Sequence, residues 1–191
     1  MADPVETKKS VWTNPFVIAM VAHYLVMAVV GLCIPEDILK ANAWAREFSD
    51  FMASIVPQLD RITALGIKPD VNRFYFSALW ATSPALFVVC VGTIWSGRND
   101  PKTSMWAMPL HKAFVYLTGL SLFVVWTQCL WTVDPSMRLT KIMFSPALGR
   151  SFYAQLVFNW GAVFCIAGVL VWLLGWLTGY IPRNIERQHH G

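Results

Sequence analysis

Few side chains in this 191-residue sequence are of a type that does chemistry, and the histidines come first. His23 lies in the middle of an apolar run, where a polar group is costly and needs a partner. As an axial ligand it would hold a haem, and a bis-histidine haem needs a second histidine at similar depth. His111 is the other histidine near an apolar run, but it sits at that run's edge. At the helical rise per residue, the two differ in depth by roughly 10 Å. The spacing therefore favours a hydrogen bond from His23 to a neighbouring helix, and no cofactor is predicted. Ligation of haem by His23 is the alternative. His189 and His190 form a terminal pair of the solvated kind.

Gln128, Gln155 and Asn159 are the other polar groups set among apolar residues. Amides at such positions bond across neighbouring helices, each bond contributing about 1 kcal/mol or less. They are expected to join the third and fourth apolar segments near one end. No Asp, Glu, Lys or Arg interrupts the segments, which argues against ion-coupled transport. Cys33, Cys90, Cys129 and Cys165 fall one to each segment, without CxxC or metal-ligand spacing, and read as small hydrophobes. No phosphate loop, nucleophile motif or HExxH is present, so the chain reads as non-enzymatic. Glu36, Asp37, Asp134 and Arg138 mark helix exits into water.

Those groups must be positioned by helices. The sequence from Ser151 to Pro182 is uncharged and bracketed by Arg150 and Arg183, and about 20 apolar residues suffice to cross a bilayer. Three further segments share this character, giving predicted spans at about 16–34, 74–95, 112–133 and 153–181. The fold class expected is an all-α bundle of four transmembrane helices in one polytopic domain over 1–191. Pro84, inside the second span, predicts a kink. Residues 35–73 form the largest extramembrane piece. Within it, 41–56 reads as an amphipathic helix capped by Asn42. Trp44, Phe48, Phe51, Met52 and Ile55 share one face of that helix, and Trp44, Phe48 and Phe51 are the expected partner contacts.

In the fourth span Gly161, Gly168 and Gly175 recur every seven residues after Ala154, and Gly175 with Gly179 makes a GxxxG. Small residues on one stripe let helices approach closely in lipid, so these glycines are the expected packing surface.

The composition agrees with a membrane protein: 56% hydrophobic, 14% charged, ten tryptophans, and a net charge of +4 spread along the chain. Nothing suggests nucleic-acid binding. Charge density places both termini inside, with Lys8, Lys9, Arg98, Lys102, Lys112, Arg183 and Arg187 on that side. Trp12, Trp95, Trp106 and Trp176 would mark the inner interface and Trp80, Trp131 and Trp160 the outer one. A bacterial inner membrane is the expected location, with both termini cytoplasmic. The partners expected are the lipid bilayer and either another membrane protein or a second copy of the chain in a homo-oligomer. The functional reading is a protein acting by helix–helix contact, as an accessory subunit of a membrane complex or an immunity-type protein. The alternatives are a haem- or quinone-linked redox subunit using His23, and a transporter or channel component built around Pro84.

Overall fold

Asn14 and Pro15 start the first helix as their chemistry dictates. The Asn14 side chain accepts from the Phe16 N–H at 3.0 Å, and Pro15 occupies the first turn, where no N–H is missed. The computed structural model describes residues 13–97, 108, 110–130 and 132–181. Lys8, Lys9, Trp12, Arg98, Lys102, Trp106, Trp131, Arg183, Arg187, His189 and His190 lie outside the described residues.

The described residues hold helices and no strand. Helix α1 spans Pro15–Cys33, and three short helices follow: α2 (Ile38–Ala41), α3 (Ala43–Ile55) and α4 (Gln58–Ala64). Then come α5 (Pro69–Ser96), α6 (Leu110–Cys129) and α7 (Arg138–Phe144). Two π-helical segments, Gly149–Ala154 and Leu156–Trp160, lead into α8 (Gly161–Leu177). Four helices are long and apolar enough to cross a membrane: α1, α5, α6 and the continuous helix Gly149–Leu177. The chain is an all-α membrane bundle. The helix from Gly149 and α5 form its central pair; α1 packs on α5 and on the first π segment, and α6 packs on α8.

The spans differ from their expected bounds for local reasons. Pro69 starts α5 five residues early, at its first helical position. Leu130 stops α6 at Cys129 by taking a left-handed conformation, φ +50°, while its N–H donates to the Trp126 carbonyl at 2.7 Å. The last helix starts at Gly149 and stops at Leu177, because Gly179 takes φ +70° just past the C-cap. Gly179 is therefore a helix stop, not part of a packing GxxxG.

At 28 and 29 residues, α5 and the last helix are each about 42 Å long, against a hydrocarbon thickness of about 30 Å. Their shared end is wrapped by α2, α3 and α4, which pack on α5, and by α7, which packs on the first π segment. The wrapping makes a cap with its own core, in which Met52, Leu59, Ile62, Phe76 and Phe144 are buried. Phe76, Phe144, Phe158 and Trp126 form a chain of rings with centroids 6.0, 5.3 and 5.8 Å apart. Arg73 of α5 ties the cap together by pairing with Asp50 of α3 at 3.0 Å and Asp60 of α4 at 2.9 Å.

Helix α3 turns its small side chains inward. Ala45, Ser49, Met52 and Ala53 are buried, while Trp44 and Phe51 are 60% and 62% exposed, with Ile55 beside them. Of the expected apolar face, Trp44, Phe51 and Ile55 are thus outside, whereas Met52 is buried and Phe48 is half-buried against the core. Asn42 precedes α3 without capping it; its amide donates backward to the Ile38 carbonyl at 3.4 Å.

Candidate functional site

The polar groups of the bundle gather where the cap meets the apolar layer. On the last helix, Ser151, Gln155 and Asn159 stand four residues apart and are all fully buried. Tyr75 of α5 donates to Gln155 Oε1 at 2.8 Å, and Gln155 Nε2 donates to the Tyr24 carbonyl of α1 at 3.2 Å. The Tyr24 hydroxyl donates to the Phe152 carbonyl at 2.8 Å. Three helices are thereby tied by one amide and two phenols.

Arg150 is the most unusual member. It is 3% exposed and donates through Nη2 to the Gly31 carbonyl at 3.0 Å. Its Nε and Nη1, and the neighbouring Ser151 Oγ, have no hydrogen-bond partner among the described residues. No carboxylate among the described residues pairs with it. Arg150 brackets the expected fourth span, and the last helix begins before it, at Gly149, so that Arg150 is helical and covered by protein. Its nearest acidic influence is Glu36, which pairs with Lys68 at 2.5 Å. The bond from Lys68 holds the Glu36 carboxyl below its ordinary range.

A second knot lies beside the first. Gln58 opens α4 and is almost fully buried; its Nε2 donates to the carbonyls of Thr127 in α6 and Phe158 in the second π segment, both at 2.9 Å. Its Oε1 accepts from Trp80 Nε1 at 2.7 Å. Wide π turns are frequent at sites with special packing. Here the Phe158 carbonyl accepts two side-chain amides, since Gln128 Nε2 also lies 3.4 Å from it. Asn72 binds the cap in the same way, donating to the Ile67 and Phe144 carbonyls at 2.6 and 3.2 Å.

The predicted amides thus divide. Gln128 joins the third and fourth spans as expected from their adjacency. Gln155 instead joins the fourth span to the first and second, and Asn159 donates to Ser83 Oγ of α5 at 2.9 Å. His23 Nε2 lies 3.0 Å from Thr82 Oγ1 on α5. The Thr82 hydroxyl also lies 2.9 and 3.3 Å from the carbonyls of Leu79 and Ala78 on its own helix. The His23 Nδ1 is buried without a partner. The other described histidine, His111, is exposed on α6, on the opposite side of the central pair from α1.

The glycines behave differently from the expected stripe. A methyl group at Gly168 would meet nothing within 4 Å, whereas one at Gly161 would lie 2.8 Å from the Leu156 carbonyl oxygen and 3.4 Å from the Phe123 ring of α6. Gly175 is buried. Close approaches between helices are also made outside the stripe, at Gly31, where a methyl would lie 2.4 Å from Ser151 Oγ and 2.7 Å from the Tyr75 ring, and at Gly92, where one would lie 2.5 Å from the Phe16 ring. Trp44 and Phe48 pack edge-on against Phe74 at 5.6 and 6.1 Å, and Phe51 has no ring neighbour among the described residues.

Sequence reasoning missed Arg150, Gln58, Tyr75 and Tyr24. The four-residue spacing of Ser151, Gln155 and Asn159 was the available signal, since it puts three polar groups on one helical face. Chemically the arrangement holds helices; among the described residues no group of three metal-ligating side chains converges. Comparison with protein-family models, with curated proteins and with solved structures finds no match.

Proposed function

We propose that this integral membrane protein acts by contact, as an accessory subunit of a membrane complex or an immunity-type protein, through the outer face of α3. The observation that carries the reading is the exposure of Trp44, Phe51 and Ile55 on a helix whose opposite face is already buried. Apolar side chains left outside after the helix has packed mark an interaction surface. Large aromatics supply most of the energy at such contacts. The interior supports the same reading, because Gln58, Gln155 and Asn159 are engaged in joining helices.

The test is Trp44→Glu with Phe51→Glu, purified from native membranes in mild detergent. The reading expects a wild-type thermal transition with loss of a co-purifying membrane protein. Unchanged co-purification, or no stoichiometric partner of the wild-type protein, contradicts it.

A further inference from the structure

The last helix has 29 residues. Its length of about 42 Å matches the roughly 40–45 Å across a bilayer with both headgroup layers. Its Gly149 end therefore stands at headgroup level, and α7 lies against that end. The two backbones touch: a methyl on Gly149 would overlap the Ile142 carbonyl oxygen. Thr140 and Phe144 form the buried side of α7, so its orientation is fixed by the protein.

The opposite side is exposed and mixed in a particular way. Leu139 is 66% exposed and Ile142 45%, with Met137 just before the helix at 52%. Arg138 and Lys141 are exposed on the same helix. At about 100° per residue, Leu139 and Ile142 stand about 60° apart on one half of the outer face, and Arg138 and Lys141 about 60° apart on the other half. No acidic residue lies between Pro135 and Arg150. Asp134 accepts from the Ser136 N–H at 2.7 Å, and neither cation of α7 pairs with a carboxylate among the described residues.

Aliphatic groups beside unpaired cations, on a short helix at the end of a membrane span, fit a surface that is apolar on one side and anionic on the other. A leaflet containing anionic lipid is such a surface, and it attracts each basic residue close to it. Helix α3 has a different pattern, since Glu47 and Asp50 are exposed on it together with Arg46. An anionic leaflet would repel those carboxylates.

We propose that α7 is an in-plane anchor that binds anionic phospholipid in the leaflet next to the cap. Leu139 and Ile142 enter the boundary of the acyl chains, and Arg138 and Lys141 hold the phosphates. The aliphatic half supplies depth and the basic half supplies selectivity. This lipid contact is independent of the protein contact made by α3.

The experiment is native mass spectrometry of the full chain released from nanodiscs of equal phosphatidylglycerol and phosphatidylcholine. Wild type is expected to carry mainly phosphatidylglycerol. Arg138→Gln with Lys141→Gln should lower that preference about tenfold. Lys40→Gln removes a cap cation whose side chain is 82% exposed, and should leave the preference unchanged. A fluorescent amino acid at Leu139, in vesicles of the same two lipids, should be quenched by lipid brominated near the headgroup and shielded from aqueous iodide. Thermal unfolding reports whether each variant is folded, and the label at Leu139 decides if the double variant is not. Equal carriage of both lipids by wild type overturns the proposal, as does an unchanged preference in the double variant or an equal loss in Lys40→Gln. A label quenched by iodide alone overturns it as well. So does a dimer in the same spectra that shields the label from both quenchers, which would assign the face to a second copy.

Discussion

At the residue scale, the interior polar groups are not equivalent. Gln155 satisfies Tyr75 and accepts its hydroxyl while bonding the Tyr24 carbonyl, so its removal leaves buried groups unpaired. Gln155→Ala is expected to cost about 1–3 kcal/mol in thermal or denaturant unfolding. Arg150 is the reverse case. Its charge is buried, bonded once, and faces no carboxylate among the described residues, so it stabilises little. Arg150→Met is expected to fall within about 1 kcal/mol of wild type or to be more stable. A loss of several kcal/mol in that variant would contradict this. The glycines separate similarly. Gly31→Ala should destabilise by about 1–3 kcal/mol through overlap with Tyr75 and Ser151. Gly168→Ala should be neutral or stabilising by up to about 1 kcal/mol, because space is free and alanine favours helix.

At the element scale, the cap is held by ion pairs on its surface and by rings beneath. Glu36, in the linker after α1, has its carboxyl pKa lowered chiefly by its bond from Lys68. A lowered carboxyl pKa stabilises the folded state above the unfolded pKa, and that contribution is lost as pH falls through the folded value. Wild type should therefore be more stable than Glu36→Gln at pH 7, and the difference should vanish as pH falls below about 4. Melting temperatures of the two proteins across pH 3–7 measure this. An equal difference at every pH would assign the effect to the linker conformation instead. The sequence made the long elements legible, since the runs around His23, Cys90 and Cys165 are unmistakably apolar. Their ends were not legible, because they depend on single backbone choices at Leu130 and Gly179 and on π turns between Gly149 and Trp160. No residue pattern distinguishes a π turn from an α turn in advance.

At the scale of the whole molecule, two long helices, α5 and Gly149–Leu177, carry a cap on their shared end. This explains why polar residues on apolar helices are tolerated: Tyr75, Arg150 and Gln155 are surrounded by protein where the cap closes over them. It also explains why the candidate site was only partly readable. Gln155 and Asn159 stand out as amides in an apolar run, whereas Gln58 belongs to a loop helix and reaches the bundle only after Pro57 has turned the chain. The apolar stripe of α3 was legible, but hydrophobicity alone does not say which side of the helix the rest of the molecule covers. Small residues at Ala45, Ser49 and Ala53 are what allow α3 to lie close, and they leave Trp44 and Phe51 outside.

The claim that this outer face engages another protein is tested most directly by a photo-reactive amino acid placed at Phe51 and irradiated in native membranes. A single protein adduct is predicted, lost when Trp44 is changed to glutamate in the same chain. Adducts with lipid alone, or a protein adduct indifferent to Trp44→Glu, would contradict the account.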